Sequence, residues 1–141
     1  MTGDERATLL DTGPLVAFLN RGDRDHERCL EAFEALTGPL LSTEAVLTEA
    51  THLLGRIPGG AEAALTFFER GAALMVPACR NSLGRCRELM TRYENVPMDF
   101  ADASLVALAE EVGTRRVFTL DRRGFETYRH GRRGSFQLLP D

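Results

Sequence analysis

The stretch RATLLDTGPLVAFLN, residues 6–20, decides the fold. Its first part, RATLLD, is too short for helical periodicity and reads as a buried strand, 6–11, ending in Asp11. The remainder, TGPLVAFLN, reads as a helix with Thr12 near its N-cap and Pro14 in its first turn. There the missing proline N–H costs no hydrogen bond. A buried strand that passes directly into a helix is the first half of a βαβ unit.

The same alternation continues along the chain. DRDHERCLEAFEAL, 23–36, is an amphipathic helix with Cys29, Leu30, Phe33 and Ala35 or Leu36 on its apolar face. GPLLS, 38–42, is a second short strand. Thr43 is placed to cap a helix over 44–57, PGG at 58–60 breaks the chain, and 61–71 forms a further helix. ALMVP, 73–77, is a strand stopped by Pro77. A helix over 82–94 precedes Pro97, and another spans 99–112, closed by Gly113 in the C′ position. RRVFTLD, 115–121, is a strand ending in a second aspartate. RRGF turns the chain, and SFQLLP, 135–140, is an edge strand halted by Pro140. The expected architecture is α/β: a three-layer α/β/α sandwich with a mainly parallel sheet of four to five strands, one domain over 1–141.

Composition narrows the chemistry. Of 141 residues, 43% are hydrophobic and 27% charged, as in soluble globular proteins. No apolar run is long enough to span a bilayer, and the polar opening MTGDERATLL does not resemble a signal peptide. The three cysteines are odd in number and lack C-x-x-C spacing, and the three histidines are scattered. Neither a disulfide framework nor a zinc site is indicated, and a reduced, cytoplasmic setting is expected. All 17 basic residues are arginine, which excludes chemistry that needs a lysine, such as P-loop phosphate binding or Schiff bases. Residues 1–114 carry 10 Arg against 18 acids, a balance of −8, whereas residues 115–141 carry 7 Arg against 3 acids, a balance of +4. This arginine-rich end suits an anionic polymer or is simply a solvated surface.

Several acids fall in awkward places. Asp11 and Asp121 close two strands, where parallel sheets build ligand sites, although aspartate there also serves as a cap or turn former. Glu49 shares a helix face with Val46 and Leu53. Asp102 interrupts the apolar run FADASLVALA, 100–109; Asp99 can cap that helix and Asp102 can reach back in a capping box. Asp102 also has Leu105 and Val106 at i+3 and i+4, so the core-facing stripe runs through it. Clustered carboxylates repel and call for a cation, and an all-oxygen set favours Mg²⁺ or Mn²⁺. Such an ion can activate a water for attack on a phosphodiester.

Four segments together, LLDTGPLVAFL, LSTEAVLTEATHLL, MDFADASLVALAEEVG and RRVFTLDRRGFETYR, resemble the PIN-domain family, specifically VapC-type toxins. The resemblance covers nearly the whole chain. It implies an α/β/α fold, metal-dependent endoribonuclease activity, an antitoxin partner and a homodimer. It assigns metal-binding and catalytic acids to Asp11, Glu49, Asp102 and Asp121, with Asp99 as a further possible ligand. Thr12 and Thr119 match hydroxyl positions beside these acids. Arg122, Arg123, Arg132 and Arg133 are candidates for RNA phosphate contacts, with no role carried over from the family. A PIN-type RNA-processing nuclease outside a toxin–antitoxin pair is the alternative. A phosphatase with Asp11 as covalent nucleophile is disfavoured by Gly13, two positions on, and by the missing lysine. A non-catalytic binding module would leave the buried acids unexplained.

Overall fold

A computed structural model describes residues 6–141, so the first half of the polar N-terminal stretch lies outside the described residues. In chain order the elements are β1 (Thr8–Leu10), α1 (Thr12–Leu19), α2 (His26–Ala35), β2 (Leu40–Ser42), α3 (Glu44–Leu54), α4 (Gly60–Glu69) and β3 (Leu74–Met75). There follow α5 (Arg80–Arg92), α6 (Phe100–Val112), β4 (Arg116–Phe118), α7 (Arg122–Thr127), β5 (Arg129–His130), β6 (Gly134–Ser135) and β7 (Gln137–Leu139).

Five strands form one wholly parallel sheet in the order β3-β2-β1-β4-β7. Strand β1 sits at its centre, with Leu9 and Leu10 fully buried because helices cover both faces. The chain moves outward from β1 through β2 to β3, then returns to the other side of β1 at β4. The strand order therefore reverses between β1 and β4, the place where an open parallel sheet leaves a crevice. Helices α1 to α4 pack on one another, and α5 packs on α6. Phe18, Phe33 and Phe118 make a continuous aromatic stack, with ring centres 4.5 Å and 4.8 Å apart. It locks α1 and α2 against β4.

Local signals act as anticipated at several joints. The Thr43 side chain caps α3 and Gly113 closes α6 with φ 88°, a left-handed conformation that costs glycine least. Asp99 and Asp102 form a reciprocal capping box at the start of α6. Thr12 lies next to the N-cap of α1 as expected, and the cap itself is Asp11, whose carboxylate accepts the Thr12 N–H. Other expectations need correction. Helix α2 begins only at His26, after a turn in which Asp23 Oδ1 accepts the Asp25 N–H. Helix α3 ends at Leu54, and Leu53 turns outward with 42% exposure instead of joining the apolar stripe. RRGF is not a simple turn but the start of α7, and β5 and β6 form a small antiparallel hairpin that periodicity did not reveal.

Truncating Phe118 removes the ring that joins the aromatic stack to the sheet. Phe118→Ala is expected to lower unfolding free energy by about 3–5 kcal/mol, measured by chemical denaturation followed by far-ultraviolet circular dichroism.

Candidate active site

The ends of β1 and β4 meet through backbone and side chains alike. The Asp11 N–H donates to the Phe118 carbonyl at 2.9 Å, the last rung between the strands. The Thr119 hydroxyl donates to Asp11 Oδ2 at 2.7 Å, and Asp11 Oδ1 accepts the Thr12 N–H at 2.8 Å. Asp11 is only 6% exposed. Burial, opposed by these two hydrogen bonds and reinforced by the negative charges of Glu49 and Asp121, pushes its carboxyl up to about 6.

Each neighbouring acid comes from a different segment. Glu49, half-buried on α3, accepts the Thr12 hydroxyl through Oε1 at 2.5 Å. A 2.8 Å bond between the hydroxyls of Thr43 and Ser104 ties the start of α3 to α6. Asp102 lies in the first turn of α6, where the positive end of the helix dipole favours an anion. Burial, then the charges of Asp11 and Asp99, push its carboxyl up to about 8. Asp121 caps α7 by accepting the Gly124 N–H through Oδ1, while its own N–H donates to the Thr119 hydroxyl. Thr12 and Thr119 each tie an acid to its surroundings.

These bonds share a pattern. Glu49 Oε1, Asp99 Oδ1, Asp102 Oδ2 and Asp121 Oδ1 accept hydrogen bonds, and the second oxygen of each accepts none among the described residues. Each carboxylate is held by one oxygen and presents the other. Among the described residues no three Asp, Glu, His or Cys side chains are arranged to hold an ion between them. The acids fit a hydrated divalent cation, which takes one or two carboxylates and keeps waters elsewhere, better than a closed cage. A depression of about 730 Å³ opens beside Glu49 and Asp99, lined also by His52 and Phe100.

One residue escaped the sequence reading. Tyr128, fully buried, directs its hydroxyl to Asp102 Oδ2 at 3.3 Å. Burial first, and then the carboxylates of Asp102, Asp121 and Asp99, hold its proton well beyond the ordinary tyrosine range. No motif flagged it, because its role depends on where α7 ends.

The arginines divide. Arg122 donates to the Pro140 carbonyl at 2.9 Å and pairs with Glu126 at 3.4 Å, so it is engaged in structure rather than poised for a ligand. Arg132 and Arg133 belong to a turn whose N–H groups donate to His130 Nδ1, beside Ala109 and Glu110. That end of α6 lies roughly 10 Å along the axis from Asp102, by the rise of 1.5 Å per residue. Arg123, exposed, makes no side-chain hydrogen bond or ion pair among the described residues.

An acid crevice at the switch point of a parallel α/β/α sheet defines a class of site, and comparison with known proteins supplies the family. A family model described as the PIN domain matches residues 8–131, and the chain belongs to that family. Ribonuclease VapC26 of Mycobacterium tuberculosis is 28% identical over 134 residues, spanning 94% of this chain and 99% of that protein. VapC20 of Mycobacterium tuberculosis, a Sarcin-Ricin loop cleaving toxin, superposes with a TM-score of 0.78 at 19% identity, over 87% of this chain and 97% of that one. A chain of a toxin–antitoxin complex from Klebsiella pneumoniae gives a TM-score of 0.64 at 17% identity, over 85% of this chain and 91% of that one.

The Asp11 carboxyl titrates near 6 in the fold against 3.8 in the open chain, so the fold favours its protonated form. That contribution is complete below pH 3.8 and is lost as pH rises through about 6. In EDTA, Asp11→Asn is expected to be more stable than the parent at pH 8 by about 2–3 kcal/mol. The gap should close at pH 4. Denaturant midpoints at the two pH values measure it, and an equal gap at both would contradict the burial argument.

Proposed function

We propose that this protein is a divalent-metal-dependent endoribonuclease that acts as the toxin of a VapBC-like toxin–antitoxin pair. The observation that carries the reading is the set of carboxylates from three distant segments, Glu49, Asp99 with Asp102, and Asp121, gathered around buried Asp11, each fixed by one oxygen and open at the other. Membership of the PIN-domain family and the names of the relatives support the same reading.

In this reading Asp11, Glu49, Asp102 and Asp121 hold Mg²⁺ or Mn²⁺ directly or through water, and Asp99 is a further possible ligand. The bound ion would supply neutralisation of the carboxylates and of the phosphodiester charge, and would activate a water for attack. Thr12 and Thr119 keep Glu49 and Asp11 pointed, as partners behind ligands generally do. Arg123, the uncommitted cation of α7, contributes a phosphate contact to the RNA. An antitoxin is the expected protein partner and a homodimer the expected assembly, the latter checked by light scattering.

The deciding experiment is cleavage of an RNA panel with Mg²⁺ or Mn²⁺, with EDTA, and with Asp11→Asn. Loss of cutting by at least about 100-fold in EDTA and in the variant is expected, the scale set by removal of the group that anchors the ion. Full activity of Asp11→Asn sinks the assignment. Loss of a single phosphate contact predicts that Arg123→Glu weakens RNA binding and lowers the slope of log affinity against log salt by about 1. Filter binding across a salt series reads it, and an unchanged slope removes Arg123 from the interface.

A further inference from the structure

Three hydroxyls touch the acids. Thr12 holds Glu49 and Thr119 holds Asp11; the third belongs to Tyr128, which reaches Asp102 from the far end of α7. We propose that Tyr128 is a positioning residue of the acid crevice, its hydroxyl fixing Asp102 through Oδ2 so that Oδ1 is presented to a divalent cation. This rests on the metal-dependent reading given above.

The ring cannot move easily. It packs edge-on against Tyr93 and Phe125, both at 5.1 Å, and has no exposed surface. Its hydroxyl has two acceptors in range, Asp102 Oδ2 at 3.3 Å and the Pro97 carbonyl at 3.5 Å. Asp102 Oδ2 is the nearer of the two. The second bond to Oδ2 comes from the Asp99 N–H at 3.2 Å, so two donors from different segments converge on one oxygen. Rotation of the carboxyl group away from this orientation loses both bonds.

Gly124 keeps the arrangement open. A Cβ at that position would lie 2.7 Å from Asp121 Oδ2 and 3.1 Å from the Tyr128 hydroxyl. The unbonded oxygen of Asp121 and the hydroxyl that aims Asp102 therefore face the same small space, which only glycine leaves free. A side chain used for packing alone has no need of this opening, since the ring contacts lie elsewhere.

Tyr128→Phe removes the hydroxyl and keeps the stack, and Tyr93→Phe serves as its control. The Tyr93 hydroxyl accepts the Arg129 N–H within the same aromatic group but bonds no acid. Thermal shift against Mn²⁺ concentration gives the apparent affinity without relying on cleavage, and the Mn²⁺ dependence of cutting gives a second readout. For Tyr128→Phe the half-saturating Mn²⁺ concentration is expected to rise at least about tenfold, the usual cost of losing a partner behind a ligand. Tyr93→Phe is expected to match the parent. An unchanged midpoint in Tyr128→Phe, or equal rises in both variants, overturns the proposal. A parent protein indifferent to Mn²⁺ overturns the metal reading itself and this proposal with it, so the two failures are distinguishable.

Discussion

The hydrogen bond from Thr119 to Asp11 joins the ends of the two central strands at the point where the strand order of the sheet reverses. It takes a carboxylate that would be costly to bury and gives it a fixed partner on the neighbouring strand. The same hydroxyl accepts the Asp121 N–H, so one threonine sets the position of two acids contributed by segments 110 residues apart in the chain. Without that knot β1 and β4 would still pair, but their ends would not present a shared set of charges. The remaining acids are then arranged around Asp11 by helices whose own caps are part of the site.

Asp102 shows how structure and chemistry share a residue. Helix α6 is buried around most of its circumference from Ala103 to Ala109, so a carboxylate further along would have no exit. In the first turn it finds the Asp99 N–H and the favourable end of the helix dipole, which offset part of the cost of its neighbours' charge. The capping box explains how the acid is tolerated. The convergence of Asp11, Asp99 and the Tyr128 hydroxyl on the same carboxyl is more than a cap requires.

Much of this was legible in the sequence because the signals are local. Apolar runs of strand length, glycine after α6, threonine before α3 and the paired aspartates before α6 each act within a few residues. Asp11 and Asp121 were visible as acids ending strands, and the burial of Asp11 follows from its place at the end of the central strand of the parallel sheet. What was not legible depends on distant partners. Helix α7 has two arginines and a glycine in its first turn and no apolar period; it exists because Asp121 caps it and Phe125 and Tyr128 bury against the core. The hairpin after it has two-residue strands, held by His130 and Glu110 bonds that no local pattern announces. For the same reason nothing local showed that Arg122 donates to the Pro140 carbonyl or that the Tyr128 hydroxyl reaches Asp102.

Helix α7 delivers an acid at one end and a hydroxyl at the other, and this makes its length a quantity under constraint. One inserted residue would swing Tyr128 by about 100° around the axis and carry its oxygen off Asp102, while leaving every strand of the sheet paired. Surface connections ordinarily absorb such insertions with little penalty. Here the count of residues between Asp121 and Tyr128 matters more than which residues they are, so this short surface segment should tolerate exchange of its outward side chains but not a change of register.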